Sequence, residues 1–176
     1  MTVQADDAGW GDLLGGVVIA AYRVETGEFA YKVVDVKFFY EPTFDQKLYL
    51  NEASKAALEL LAELKTSKKE PVQLCTGYVL SEAVETLRRL GFNVSTGKIT
   101  GPLQELGEKT FLDELRKIGY TPMTNREADG RMRAKSFYDM LNWMKEKPER
   151  RQYAKTGWSF FTGKTKHRWG RWNEEG

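Results

Sequence analysis

The chain has 176 residues, 41% hydrophobic and 12% aromatic, which indicates a globular protein with one sizeable core and excludes a disordered chain. One cysteine, Cys75, and one histidine, His167, exclude an intrachain disulfide framework and any cysteine- or histidine-rich metal site. Net charge is +2 but divided: residues 1–123 carry 14 Lys/Arg against 18 Asp/Glu, and residues 124–176 carry 13 against 7. Such asymmetry marks either a polyanion-binding tail or a salt-bridged, solvated surface. No apolar run approaches the roughly 20 residues of a membrane span, and no basic stretch precedes an apolar one at the N-terminus, so the expectation is a cytoplasmic protein without membrane contact.

Residues 2–6 read as a short strand ending in acid, Asp6-Asp7, followed by the glycine-bearing turn Gly9 to Gly16. Val17–Val24 and Phe29–Phe39 read as two longer strands joined by Glu25-Thr26-Gly27-Glu28, a hairpin signal, so the first three strands should form an antiparallel meander. Ala53, Ala56, Ala57, Leu60, Leu61 and Leu64 recur at helical spacing, with Asn51 as N-cap and Glu52 in the first turn. Pro71–Cys75 reads as a strand, Ser81–Leu90 as a helix closed by Gly91, and Phe92–Ile99 as a fifth strand. Pro102 opens a third helix that buries Leu103, Phe111 and Leu115 and ends at Gly119. After a Pro/Asn/Gly-bearing break, a fourth helix is expected near Arg131–Lys147, and the chain beyond Pro148 turns basic and aromatic without clear periodicity. The expected division is a core over residues 1–120 and a C-terminal extension over 121–176.

The order β-β-β-α-β-α-β-α, with acid after the first strand and acid opening the first long helix, resembles the ribonuclease H-like fold over roughly residues 2–119. Asp7-Ala8-Gly9 with Gly15-Gly16-Val17 looks like that family's first strand, catalytic Asp and hairpin. Asn51-Glu52-Ala53 looks like the helix whose opening Glu is a metal ligand, and Leu74-Cys75-Thr76-Gly77 is similar to the fourth strand and its turn. The resemblance implies a mixed five-stranded sheet and a phosphodiester-hydrolysing site. There, two divalent cations about 3.5–4 Å apart activate a water and stabilise the leaving oxygen. Mg²⁺ or Mn²⁺ would be held by Asp7 (or Asp6), Glu52 and one of Glu105 or Glu108, the metal set being Asp7, Glu52 and Glu108. Where the family carries Asp at the end of strand four, this chain has Cys75-Thr76-Gly77; Glu82, on the next helix, could reach back. Cys75 itself reads as a buried structural thiol.

In the tail, Arg150, Arg151, Lys155, Lys164, Lys166, Arg168 and Arg171 alternate with aromatics that include Trp158 and Trp169. Cations for phosphates and rings for bases are the materials of nucleic-acid binding, RNA or DNA. Packing of those rings on the core is the competing reading. The functional expectation is a metal-dependent nuclease acting on RNA or on hybrid or branched nucleic acid. Two alternatives are a catalytically inactive module of the same fold that binds nucleic acid or protein, and a homo-oligomer that buries the tail's aromatics.

Overall fold

The computed structural model describes residues 1–126 and 128–163. Five strands, β1 (Val3–Ala8), β2 (Val17–Arg23), β3 (Phe29–Val34), β4 (Pro71–Leu74) and β5 (Asn93–Thr96), form one mixed sheet of order β3-β2-β1-β4-β5. β2 runs antiparallel to β1 and β3, whereas β4 is parallel to both β1 and β5. The helices are α1 (Leu48–Glu63), α2 (Ser81–Arg89), α3 (Pro102–Lys117), α4 (Gly130–Glu146) and the single turn α5 (Ser159–Thr162). This is an α/β protein. No helix among the described residues is long and apolar enough to cross a membrane.

Local chemistry explains where the elements differ from the sequence expectation. β1 continues to Ala8, so Asp6 and Asp7 stand within the strand, paired with Ala20 and Ile19, and not after it. β3 stops at Val34 because Asp35 turns the chain: its carboxylate accepts from the Lys37 N–H at 2.8 Å and opens a 3-10 turn over Val36–Phe39. The first helix starts at Leu48, with Lys47 as N-cap in the left-handed region at φ 56°. Asn51 is therefore inside α1 and Glu52 lies beyond its first three residues, a correction to the capping expected from sequence.

The alternation of side chains along a strand fixes which layer covers which residue. An ideal Cβ on Gly107 of α3 would stand 3.9 Å from the side chains of Ala8 and Ala20, so α3 lies on the face that those two residues share. Val17–Ala21 of β2 are all buried, so the sheet is covered on both sides at β2, whereas Tyr31 and Val33 leave one face of β3 exposed; α1 packs against β2 and β3. Gly9 needs to be glycine twice over: its φ is +86°, and a Cβ there would enter the ring of Phe111.

The C-terminal segment is welded to this body. Met140, Leu141, Met144 and Ala154 belong to the same hydrophobic cluster as the sheet. Ala154 bridges Leu14 in antiparallel fashion, with Gly15 N–H donating to Tyr153 O at 2.8 Å and Lys155 N–H to Leu13 O at 2.9 Å. Gly157 N–H donates to Phe39 O at 2.8 Å, a close approach in which a Cβ would collide with Phe44.

Candidate functional site

β1 and β4 run side by side in register Ala5 with Leu74, and Cys75 N–H donates to Ala5 O at 3.0 Å. The next residues on each chain, Asp6, Asp7 and Cys75, thereby meet at the carboxyl end of the parallel pair, the edge where open α/β sheets place ligands. One ligand atom from each lies within 4.8 Å of the others. The Cys75 thiol donates to Asp7 Oδ1 at 3.3 Å, and Asp6 Oδ1 accepts from the Asp7 N–H at 2.9 Å.

This environment disfavours negative charge. Burial, and then the adjacent Asp6 charge, hold the Asp7 carboxyl up at about 6, against the lowering effect of the Cys75 and backbone hydrogen bonds. Burial likewise raises Asp6. Burial followed by the Asp7 and Asp6 charges pushes the Cys75 thiol far above its ordinary range, so Cys75 is a donor here and not a thiolate nucleophile. Two crowded carboxylates of raised proton affinity suit one hard divalent cation, which would replace their protons. A protonated thiol does not suit Mg²⁺. Asp6 and Asp7 would hold the ion, and it would supply the polarisation of a phosphate oxygen or of water.

The other carboxylates expected from sequence are not members of this tight cluster. Glu52 is half-buried on α1, and Glu105 is exposed in the first turn of α3. Glu82 is exposed on α2. Glu108 is engaged elsewhere: Arg126, only 5% exposed, spans Glu108 and Asp12, with its Nε donating to Glu108 Oε1 at 3.0 Å. Burial opposes that cation, but the Asp12 and Glu108 carboxylates outweigh it and raise its proton affinity.

The basic residues of the tail separate in the same way. Lys155 is fully buried: its ammonium donates to the carbonyls of Gly9 (3.1 Å), Asp12 (2.5 Å) and Leu14 (3.4 Å), and it sits over the rings of Phe39 and Trp158. Burial pushes it down to about 7 despite Asp12, and Arg126 adds to the fall. It serves as a clamp on the turn after β1, not as a surface phosphate contact. Arg150 pairs with Glu146 at 2.6 Å and stacks on Trp143, with 4.2 Å from its guanidinium carbon to the ring centroid. Arg151 is exposed and lies over Phe161; Trp158 is half-buried. Lys164, Lys166, His167, Arg168, Trp169 and Arg171 lie outside the described residues.

Sequence reasoning missed Cys75 as a member of the acidic cluster and missed Arg126 altogether. The first had a usable signal, since a parallel β1–β4 pair brings the ends of those strands together. The second had none, because Arg126 sits in an irregular break 18 residues from Glu108. No protein-family model matches the sequence, and no curated protein matches it.

Proposed function

We propose that the protein is a metal-dependent nuclease of the ribonuclease H-like class, hydrolysing phosphodiester bonds in RNA or in hybrid or branched nucleic acid. The observation that carries this reading is the convergence of Asp6 and Asp7 at the carboxyl end of the central β1–β4 pair, in a setting that resists their ionisation unless a cation compensates. The mixed sheet and the element order agree with what the resemblance implies. Mg²⁺ or Mn²⁺ is the cation such ligands take, and Glu52 on α1 is the candidate to complete the set.

The test is calorimetric Mn²⁺ binding to wild type, Asp7→Asn and Glu52→Gln, followed by Mn²⁺-dependent cleavage of RNA, hybrid and branched oligonucleotides. Saturable binding lost in both variants, with cleavage by wild type alone, is the expected result. Folded wild type that neither binds Mn²⁺ nor cleaves in its presence sinks the reading.

A second reading, a catalytically inactive module of the same fold that binds nucleic acid or protein, is favoured by two observations. A cysteine stands beside Asp7 where a further carboxylate would serve a metal, and Glu108 is committed to Arg126.

A further inference from the structure

The two loops that leave the acidic edge also carry aromatic rings. Trp10 follows β1 three residues after Asp7, and Tyr78 follows β4 three residues after Cys75. Their ring centroids lie 6.2 Å apart at 47°. Trp10 is braced from the core by Tyr49 at 5.3 Å and Phe39 at 6.1 Å, and Tyr49 in turn stacks on Phe39 at 5.3 Å and 22°. Tyr78 is 41% exposed although it belongs to this aromatic group. The exposed Lys47 holds its ammonium over the Tyr78 ring, 5.9 Å from the centroid, so an arriving base would displace this flexible lysine from the ring toward the base's own phosphate.

A rigid ring open to solvent, beside a lysine and next to carboxylates able to hold a cation, has the chemistry of a base-stacking platform. We propose that Tyr78, backed by Trp10 and flanked by Lys47, is a subsite for one unpaired nucleobase of a single-stranded nucleic acid, adjoining the Asp6–Asp7 edge. The proposal rests on the reading of nucleic acid as the partner and narrows it to substrates with an unpaired nucleotide beside the scissile phosphate. The base's face lies on the Tyr78 ring, and Lys47 contacts the phosphate of the same nucleotide. Every base has a π-face, so the subsite discriminates paired from unpaired nucleotides and not one sequence from another. A duplex, whose bases are already stacked, cannot use it.

The experiment is fluorescence anisotropy of a fluorescein-labelled 15-nucleotide oligo-dT and of a duplex of equal length, measured in EDTA so that binding does not depend on metal. Wild type is expected to bind the single strand more tightly than the duplex. Tyr78→Ala weakens single-strand binding about tenfold, as loss of one stacked base does, whereas Tyr78→Phe stays within about threefold and reports that the fold is intact. Lys47→Ala lowers the slope of log affinity against log salt by about 0.7, the loss of one phosphate contact on a single strand. The proposal is overturned by wild-type affinity in Tyr78→Ala, by equal losses in Tyr78→Ala and Tyr78→Phe, or by a wild type that does not prefer the single strand. A parallel incubation with Mn²⁺ separates the two ideas. Expected binding without cleavage removes the hydrolytic reading and leaves the subsite; cleavage with no effect of Tyr78→Ala does the reverse.

Discussion

Gly77 lies against the carboxylate of Asp7. A Cβ at residue 77 would stand 2.6 Å from Asp7 Oδ1 and 3.2 Å from the Cys75 sulfur, although the backbone there, at φ −59° and ψ 139°, is open to any residue. The glycine is therefore required by the neighbouring carboxylate and not by the turn. Gly77→Ala should displace Asp7 while leaving the unfolding midpoint nearly unchanged. We expect Mn²⁺ affinity to fall about tenfold by calorimetry, a change of about 1.4 kcal/mol.

The raised proton affinity of Asp7 predicts a pH signature in the absence of divalent ions. A carboxyl held at about 6 in the fold stabilises it fully below the ordinary carboxylate range near pH 4, and that contribution is lost as pH rises through 6. Urea denaturation in EDTA should find Asp7→Asn more stable than wild type by about 3 kcal/mol at pH 7.5 and nearly equal to it near pH 4. Saturating Mn²⁺ should reverse the order at pH 7.5, because only wild type gains from the ion.

Lys155 shifts in the opposite sense. Burial lowers it to about 7, so its contribution is fully present only above the ordinary lysine range and is lost as pH falls toward 7. Lys155→Met keeps an unbranched apolar stem one atom shorter and removes the donors to Gly9, Asp12 and Leu14. Wild-type stability, apart from other titrations, should climb between pH 7 and 9.5 while the variant stays flat. At pH 9.5 the variant should be about 2 kcal/mol less stable in urea titrations, from carbonyls left without partners.

Arg126→Met leaves the Asp12 and Glu108 carboxylates without their shared guanidinium. Removing one partner from a buried ionic network costs about 3–5 kcal/mol. We expect a loss in that range by chemical denaturation, and recovery of part of it in the double variant Arg126→Met/Glu108→Gln. A loss below about 1 kcal/mol would show that the network is weakly coupled to folding.

The sheet and helices were legible because their signals are local. Glu25-Thr26-Gly27-Glu28 marks the β2–β3 hairpin, and the spacing from Leu103 to Leu115 marks α3 between Pro102 and Gly119. The first helix began earlier than its alanine stripe suggested, since Tyr49 is buried in the aromatic group and pulls the first turn inward. β3 ended earlier than its apolar run, because the Asp35 side chain offers the backbone an alternative to the ladder. At the site, Asp6 and Asp7 were readable as acids beside a glycine turn. The burial of Cys75 was readable too, but its hydrogen bond to Asp7 and the roles of Lys155 and Arg126 were not, since each is decided by partners far away in sequence. A lysine in a basic, aromatic stretch reads as a phosphate contact until the three carbonyls around it are seen.

The Lys155 clamp has a consequence for how the protein is made. Its ammonium reaches the Gly9 carbonyl across 146 residues of sequence, and the adjoining bridge ties Leu14 to Ala154. During synthesis the sheet can assemble once β5 has emerged from the ribosome, but the turn behind Asp7 stays without its last three hydrogen bonds until residue 155 follows. The acidic edge thus reaches its final shape only once residue 155 is in place, and a product ending before Ala154 would carry β1 to β5 and still lack the hold on the turn that follows its carboxylates.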